Sequence, residues 1–234
     1  MLHKSAKALS RRKFLISSVQ SSAGLVLGMS LPLSHAEADN SDAASSVTKT
    51  LSPNAFVTIN DSNKVIVTIK HLEMGQGTFT GLATLVAEEL AADWAQVECQ
   101  GAEAAVEKYA NGLWGKFQGT GGSTAIANSY QQMREAGATA RAMLVGAAAS
   151  LWRVPVTAIT VKQGMVHHAA TGKSVNFGVL AELAALQTIP QEVELKDPSE
   201  FTLIGKKVSR KDVGKTSGKA IFTQDIQRPN QLTA

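Results

Sequence analysis

The sequence predicts a mixed α+β fold, and three features predict it. Two β-branched runs flank a polar turn near residue 60. Two glycine-rich turns each lead into a stretch with helical spacing, and a long Ala/Gly-rich segment keeps apolar residues at steps of three and four. Strands that feed helices through glycine loops belong to the mixed class of α and β folds.

Residues 1–36 stand apart from that fold. Lys4 and Lys7 precede Ser10-Arg11-Arg12-Lys13-Phe14-Leu15, the pattern of a twin-arginine export signal. An apolar stretch diluted by Ser and Gly follows over residues 14–33. Ser34-His35-Ala36 then places small residues where a signal peptidase reads, with Ala38 as a second candidate. The expected outcome is folded export to a bacterial periplasm, with no stable membrane span after cleavage. Removing the signal also changes the charge. The chain carries +4 overall, but Lys4, Lys7, Arg11, Arg12 and Lys13 lie in the signal without any acid, which leaves −1 for the remainder. No basic patch interleaved with aromatics is left, so nucleic acid is excluded as an expected partner. Cys99 is the only cysteine, so the chain forms no internal disulfide and cannot by itself ligate an iron–sulfur cluster. Among strand neighbours it reads as a buried thiol. Folded export suits a protein that receives a tightly held cofactor before transport.

Residues 37–52 are Ser, Ala, Asp and Thr and read as a flexible tether, with order starting near Pro53. Residues 55–59 and 64–70 form a predicted hairpin around Asn60-Asp61-Ser62-Asn63. Leu82, Leu85, Val86, Glu89 and Leu90 recur at helical spacing, which predicts a helix to about residue 92, and residues 97–100 read as a strand. An irregular loop over 103–118 disperses Tyr109, Trp114 and Phe117. A helix over 123–151 would run roughly 40 Å, and its Ala and Gly faces let neighbouring backbones approach. Pro155 ends it. Residues 157–161 and 165–168, with the turn Thr171-Gly172-Lys173, suggest a small antiparallel unit, followed by an amphipathic helix over 177–186 and a linker at Lys196-Asp197-Pro198. From Phe201 the pattern announces a new, incomplete β unit that would leave Ile221 and Phe222 exposed.

The glycine turns carry the candidate site. Gly75-Gln76-Gly77 sits where a strand hands over to a helix, with Thr78 as a cap. Gly119 to Thr124 repeats the arrangement, with Ser123 and Thr124 at the cap. Helix starts expose unpaired N–H groups, and glycine lets an anion approach them, so both turns suit phosphate or pyrophosphate. Tight turns that merely need glycine are the competing reading. Gly75-x-Gly77 followed by Gly81 misses the dinucleotide fingerprint, and no Walker lysine follows either turn. No catalytic residue and no metal ligand is assigned. Glu73 is expected to position the first turn, and Glu88 and Glu89 to lie on a solvated helix face. His71, His167 and His168 are expected to be structural, Trp114 and Phe117 to pack the loop, and Trp152 to anchor the helix in the core.

Glu73-Met74-Gly75-Gln76-Gly77-x-x-Thr80, then Leu85-Val-Ala-Glu-Glu-Leu90 and Gly119-Thr-Gly-Gly-Ser123, resemble the large subunit of molybdenum hydroxylases. Arg134-x-Ala136-Gly137-Ala138-x-Ala140-Arg141, Met143-Leu144, Lys196-Asp197-Pro198 and Ile204-Gly205-Lys206 extend the likeness from about Phe56 to the end. The nearest group is the isoquinoline 1-oxidoreductase beta subunits and periplasmic aldehyde dehydrogenases of the xanthine dehydrogenase superfamily. The resemblance implies a molybdopterin-binding-type domain over 53–198, followed at 199–234 by the start of an α/β hammerhead domain. It implies a molybdopterin cytosine dinucleotide cofactor, with [2Fe–2S] clusters carried by a separate small subunit. The implied reaction is hydroxylation of an aldehyde or N-heterocycle with oxygen from water, with electrons leaving through the small subunit to an acceptor such as a cytochrome. Gly75, Gln76 and Gly77 would lie against the molybdopterin end, and Gly121, Gly122, Ser123 and Thr124 would contact the pterin or its phosphates. Family large subunits are much longer, and their catalytic glutamate lies in a C-terminal segment not found here. The chain is therefore expected to be an N-terminal part. A catalytically inactive exported module with relic loops, and a generic phosphate- or nucleotide-binding periplasmic domain, stay open as alternatives.

Overall fold

The β-branched runs pair as their alternation requires. A computed structural model of the chain describes residues 50–232, so the export signal and most of the tether lie outside the described residues. Strands β1 (Thr50–Asn54), β2 (Val57–Asn60) and β3 (Val65–Ile69) are antiparallel neighbours, and β4 (Val97–Gly101) joins β3 in parallel. The tether ends earlier than its composition suggested. Thr50, Leu51 and Ser52 open β1, where Leu51 is buried opposite Ile59. Asn60 Oδ1 accepts the Lys64 N–H at 2.9 Å, closing the hairpin.

Helix α1 (Thr78–Leu90) crosses from β3 to β4, the connection a parallel pair demands. The expected irregular stretch contains one helical turn, α2 (Val106–Tyr109), whose Tyr109 hydroxyl donates to the Ala55 carbonyl at 3.1 Å. Helix α3 (Ala125–Trp152) runs for 28 residues and stops at Arg153 in the left-handed conformation, before Pro155. A second, antiparallel sheet follows: β5 (Ile159–Lys162), β6 (Met165–His168) and β7 (Lys173–Asn176). Helix α4 (Phe177–Ala185) starts where the Asn176 side chain accepts the Val179 N–H at 3.0 Å. No helix among the described residues is long and apolar enough to cross a membrane.

The core lies between the first sheet and the helices. Ile59, Val65 and Val67 meet Leu82, Val86 and Leu90 of α1, Met133 and Leu144 of α3, and Phe177 and Leu180 of α4, all buried. Gly137 sets how closely α1 and α3 approach. A Cβ there would fall 2.5 Å from the Val86 carbonyl oxygen and 3.0 Å from Glu89 Cβ.

Two expectations fail together. Glu88 and Glu89 do not face solvent; both are fully buried. Glu88 accepts the N–H groups of Thr202 (2.8 Å), Leu203 (2.6 Å) and Ile204 (3.1 Å) and the Lys196 ammonium (3.0 Å). Glu89 accepts from Arg134 Nε at 2.7 Å and from the Lys196 N–H at 3.0 Å. Buried carboxylates persist only when paired and hydrogen-bonded, and these are both. Lys196 is thus bound to both carboxylates and does not sit in a free linker.

Among the described residues, the expected β unit beyond Phe201 contributes no strand. Its first N–H groups, which a strand would give to a ladder, go to Glu88 instead. Among the described residues after β7 there are 3₁₀ turns at Pro198–Glu200, Val213–Lys215 and Thr223–Asp225, and no strand. Ile221 and Phe222 are exposed, as their pattern implied.

Burial works against the charge on Glu88. The Leu203 N–H, the Lys196 ammonium and the Ile204 N–H outweigh it and hold the carboxyl below its ordinary value. A depressed carboxyl stabilises the fold above its unfolded pKa and loses that contribution as pH falls through the folded one. Thermal midpoints should therefore drop on acidification below about pH 4.3. Glu88→Gln should start less stable by about 3–5 kcal/mol at neutral pH, because Lys196 loses its buried partner, and should lose less on acidification. Gly137→Ala should cost about 1–3 kcal/mol by denaturant unfolding, since Val86 must move.

Candidate functional site

Each glycine turn is held by a different device. In the first, Glu73 folds its carboxylate under the turn. Oε1 accepts the N–H of Gly75 (2.8 Å) and Gly77 (3.1 Å), and Oε2 accepts that of Phe79 (3.0 Å). Burial opposes its charge, but the Phe79, Gly77 and Gly75 donors prevail, and its carboxyl sits below the ordinary range. Glu73 therefore positions the turn, as its place in the sequence suggested. It also supplies the negative charge that the start of α1 favours. Thr78 does not cap the helix: the N-cap is Gly77, with no side-chain cap, and the Thr78 hydroxyl donates to the Leu72 carbonyl at 3.4 Å. Gly75 and Gly77 have φ of 104° and 85°, and a Cβ on either would meet nothing within 4 Å. Their glycines answer a left-handed backbone.

Gln76 lines the turn's surface. Its Oε1 accepts the Met74 N–H at 2.7 Å, and its Nε2 donates to the Leu72 carbonyl at 2.7 Å.

The second turn is organised by Asn111, which is fully buried. Its Nδ2 donates to Thr124 Oγ1 (2.8 Å) and the Gly119 carbonyl (3.3 Å), and its Oδ1 accepts the Leu113 N–H (3.2 Å). Thr124 is the N-cap of α3, yet its hydroxyl donates backward to the Gly121 carbonyl at 2.8 Å. Gly122 and Ser123 are consecutive left-handed residues with φ of 58° and 56°. Among the described residues, no acceptor takes the N–H of either. Gly119 and Gly121 are glycine for another reason. A Cβ at Gly119 would lie 2.6 Å from the rings of Trp114 and Phe117, and one at Gly121 would lie 3.0 Å from Trp114. Those rings stack at 5.9 Å, so they pack the loop.

Thr120 joins the turns. Its Oγ1 accepts the Leu72 N–H at 2.9 Å and faces His71 Nδ1 at 3.3 Å. Burial, then the Lys70 charge, lowers the His71 pKa against a bond to Gly119, so the ring is neutral near pH 7. Its Nε2 faces the Asn128 amide nitrogen at 3.3 Å and must accept there, which leaves the proton on Nδ1 to donate to Thr120. Buried Lys70 donates to the Ala110 carbonyl (3.1 Å) and Gln132 Oε1 (2.7 Å), which ties the first turn to α3. Sequence reasoning did not single out Lys70, Asn111, Thr120 or Asn128. The Asn111-Gly112 turn dipeptide and the four-residue step from Thr124 to Asn128 were the available signals.

The turns share a cleft of about 280 Å³, lined by Met74 and Gln76 from the first and by Thr120, Gly121, Ser123 and Thr124 from the second; a separate cleft of about 450 Å³ is lined by Leu72, Glu73, Gly119 and Thr120 together with Lys70, His71 and Lys215. A larger cleft of about 500 Å³ on the other side of the first turn includes Gly75, Gln76, Gly77, Lys206 and Arg210 but no residue of the second. Of the candidate residues, Gln76, Gly121, Ser123 and Thr124 line the smaller cleft, whereas Gly75 and Gly77 line the larger one and Gly122 lines neither. The smaller cleft contains hydroxyls, an amide and backbone donors but no ionisable side chain. Such a lining can bind an anion through N–H dipoles and the start of α3, and supplies no acid or base.

Elsewhere, burial pushes the Cys99 thiol up to about 12, so it is not a nucleophile at neutral pH. His168 is buried with Nδ1 2.7 Å from the Thr171 hydroxyl, and no cluster that could hold a metal occurs among the described residues. Glu73→Ala should expose the Gly75, Gly77 and Phe79 amides to hydrogen exchange about tenfold faster or more, given the worth of bonds to a charged acceptor. The Leu82 and Val86 amides should be less affected.

A family model for the molybdopterin cofactor-binding domain matches residues 19–225. The chain is 31% identical to the beta subunit of isoquinoline 1-oxidoreductase of Brevundimonas diminuta, over 97% of this chain and 33% of that one. It is 30% identical to a membrane-bound, pyrroloquinoline-quinone aldehyde dehydrogenase of Gluconacetobacter polyoxogenes, over 96% of this chain and 29% of that one. A nicotinate dehydrogenase subunit of Pseudomonas putida matches 76% of this chain and 14% of its own length at 30% identity. Among solved structures, quinoline 2-oxidoreductase from Pseudomonas putida 86 aligns over 55% of this chain and 15% of its own, with 24% identity and a TM-score of 0.42. The chain thus spans a third or less of the length of the curated relatives it matches.

Proposed function

The chain belongs to the molybdopterin cofactor-binding domain family, and on that premise we propose that it forms the pterin-contacting part of the large subunit of an exported molybdenum hydroxylase. The observation that carries this reading is the convergence of Gln76 with Gly121, Ser123 and Thr124 on one cleft, with the N–H groups of Ser123 and of its neighbour Gly122 unclaimed among the described residues. These donors, with the Thr124 end of α3, would hold a phosphate of molybdopterin cytosine dinucleotide. Gln76, flanked by Gly75 and Gly77 and held by its own turn, would present its amide to the pterin. The residues fit such a group unequally. The second turn offers donors, whereas the donors of the first are occupied by Glu73.

When bound, the molybdenum centre supplies a two-electron oxidation in which oxygen from water enters an aldehyde or N-heterocyclic carbon. The relatives' names, which span isoquinoline, nicotinate and aldehyde, support that substrate range. No residue lining the cleft between the turns supplies a base for that reaction. Glu73, Glu88 and Glu89 are each buried and committed to structural donors. Two relatives are named as one subunit of several, which supports a partner subunit. A small [2Fe–2S] subunit fits a chain whose single cysteine cannot ligate a cluster, and a cytochrome is a suitable acceptor beyond it. The twin-arginine pattern supports a periplasmic location and loading of the cofactor before export.

The test is to co-produce the chain with the small subunit and purify it from the periplasm. The extract is then assayed for molybdenum, for cytosine nucleotide and, given the quinone in one relative's name, for pyrroloquinoline quinone. Molybdenum and cytosine nucleotide in equal amounts support the reading. Folded protein with neither reduces the chain to a module without cofactor, and quinone in their place replaces the cofactor assignment. Gln76→Ala should lower cofactor retention about tenfold while costing about 1 kcal/mol of stability, the worth of its exposed bonds to Met74 and Leu72. Equal losses in both would remove Gln76 from the site.

A further inference from the structure

Among the buried charges of the described residues, Lys70 alone lacks a charged or fully donating counterpart. Glu89 pairs with Arg134, Glu88 with Lys196 and Asp212 with Arg210, while Glu73 is held by three backbone N–H groups. Lys70 is 7% exposed and forms no ion pair among the described residues. Its ammonium donates to two neutral acceptors, the Ala110 carbonyl at 3.1 Å and Gln132 Oε1 at 2.7 Å. An ammonium has three N–H groups, so one is left without an acceptor among the described residues. Buried ammonium groups are ordinarily paired because burial penalises their charge, and burial lowers the Lys70 pKa.

The cleft of about 450 Å³ that Lys70 lines lies outside the carboxyl ends of the parallel strands β3 and β4. Lys70, His71 and Leu72 continue β3, and Ala102 and Ala104 follow β4. The crevice beyond the carboxyl ends of parallel strands is where α/β sheets take their ligands. Ile69, Leu72, Phe79 and Ala102 give this one apolar walls. Exposed Lys215 brings a second ammonium, 5.4 Å from the centre of the Phe79 ring and donating to the Glu73 carbonyl. His71 is neutral near pH 7, with its ring nitrogens facing Thr120 and Asn128. Glu73 is the one carboxylate in the lining, and its oxygens already accept the Gly75, Gly77 and Phe79 N–H groups. Two ammonium groups against one carboxylate leave the lining with a single positive charge.

We propose that this cleft binds a small organic monocarboxylate, its carboxylate held by the Lys70 and Lys215 ammonium groups and its aliphatic or single-ring body against Ile69, Leu72 and Phe79. One negative charge balances the lining. A doubly charged anion would be repelled by Glu73, and an inorganic ion would leave the apolar walls uncovered. The cleft shares only Thr120 with the cleft between the glycine turns, so its ligand and the proposed cofactor occupy separate sites. Binding here requires no molybdenum.

The test titrates sodium benzoate at neutral pH and constant ionic strength into the full ¹⁵N-labelled chain, produced in cells that make no molybdopterin. Saturable shifts are expected at the Gly101, Ala102 and Thr120 amides, with Gly122 and Ser123 still. Benzyl alcohol, which has the ring without the charge, should bind at least tenfold more weakly, and sulfate should leave those amides unmoved. Lys215→Met should keep the thermal midpoint, because the side chain is exposed, and weaken benzoate binding about fivefold, as loss of one partly screened charge does. Lys70→Met should weaken it tenfold or more, and benzoate should raise the thermal midpoint of the unsubstituted chain but not of this variant. If Lys70→Met does not fold, Lys215→Met and the uncharged probe decide. Three results would each overturn the proposal. They are no saturable shift with the unsubstituted chain, benzyl alcohol or sulfate binding as well as benzoate, and unchanged benzoate affinity in Lys215→Met. Benzoate binding here, while the enzyme purified from the periplasm lacks molybdenum, would leave this site standing and remove the cofactor reading.

Discussion

Buried carboxylates fix helix α1 at both ends, and the rest of the structure depends on that. At its start, Glu73 collects three backbone N–H groups where the helix dipole favours negative charge. At its end, Glu88 and Glu89 sit where the dipole disfavours them. Arg134, Lys196 and the N–H groups of Thr202, Leu203 and Ile204 offset that cost. The pair thus ties α3 and the segment after β7 to one helix. Gly137 then lets α3 lie close enough for Arg134 to reach Glu89.

This arrangement makes the two glycine turns chemically unlike. Both precede helices, and both would offer N–H groups to an anion if geometry alone decided. The first already holds an anion, the carboxylate of Glu73, so its role is to place Met74 and Gln76 at the cleft. The second is braced from below by Asn111 and leaves Gly122 and Ser123 with their donors free. A non-glycine residue held left-handed, as Ser123 is, carries strain of about 1–3 kcal/mol, which the surrounding hydrogen bonds must sustain.

Local pattern made much of the fold legible. Asn60 to Asn63 marked the hairpin, and the steps of three and four marked α1 and α3 within two residues of their ends. What failed was non-local. Glu88 finds Lys196 108 residues away, and Glu89 finds Arg134 45 residues away. Their burial had a trace in the sequence, since Glu89 falls on the apolar stripe with Leu82, Leu85 and Val86. The residues after Phe201 read as strands because their composition is strand-like. Glu88 takes the N–H groups of Thr202, Leu203 and Ile204, and no strand occurs among the described residues that follow. At the site, the turn glycines were legible but Asn111 and Thr120 were not, because their importance lies in contacts that only the folded loop creates.

One turn is closed to anions by its own glutamate while the other is open. Titrating ¹⁵N-labelled protein with inorganic pyrophosphate and following individual amide shifts tests this directly. Movement is predicted at Gly122 and Ser123, with none at Gly75, Gly77 or Phe79. Movement at the first turn with a still second turn would contradict it.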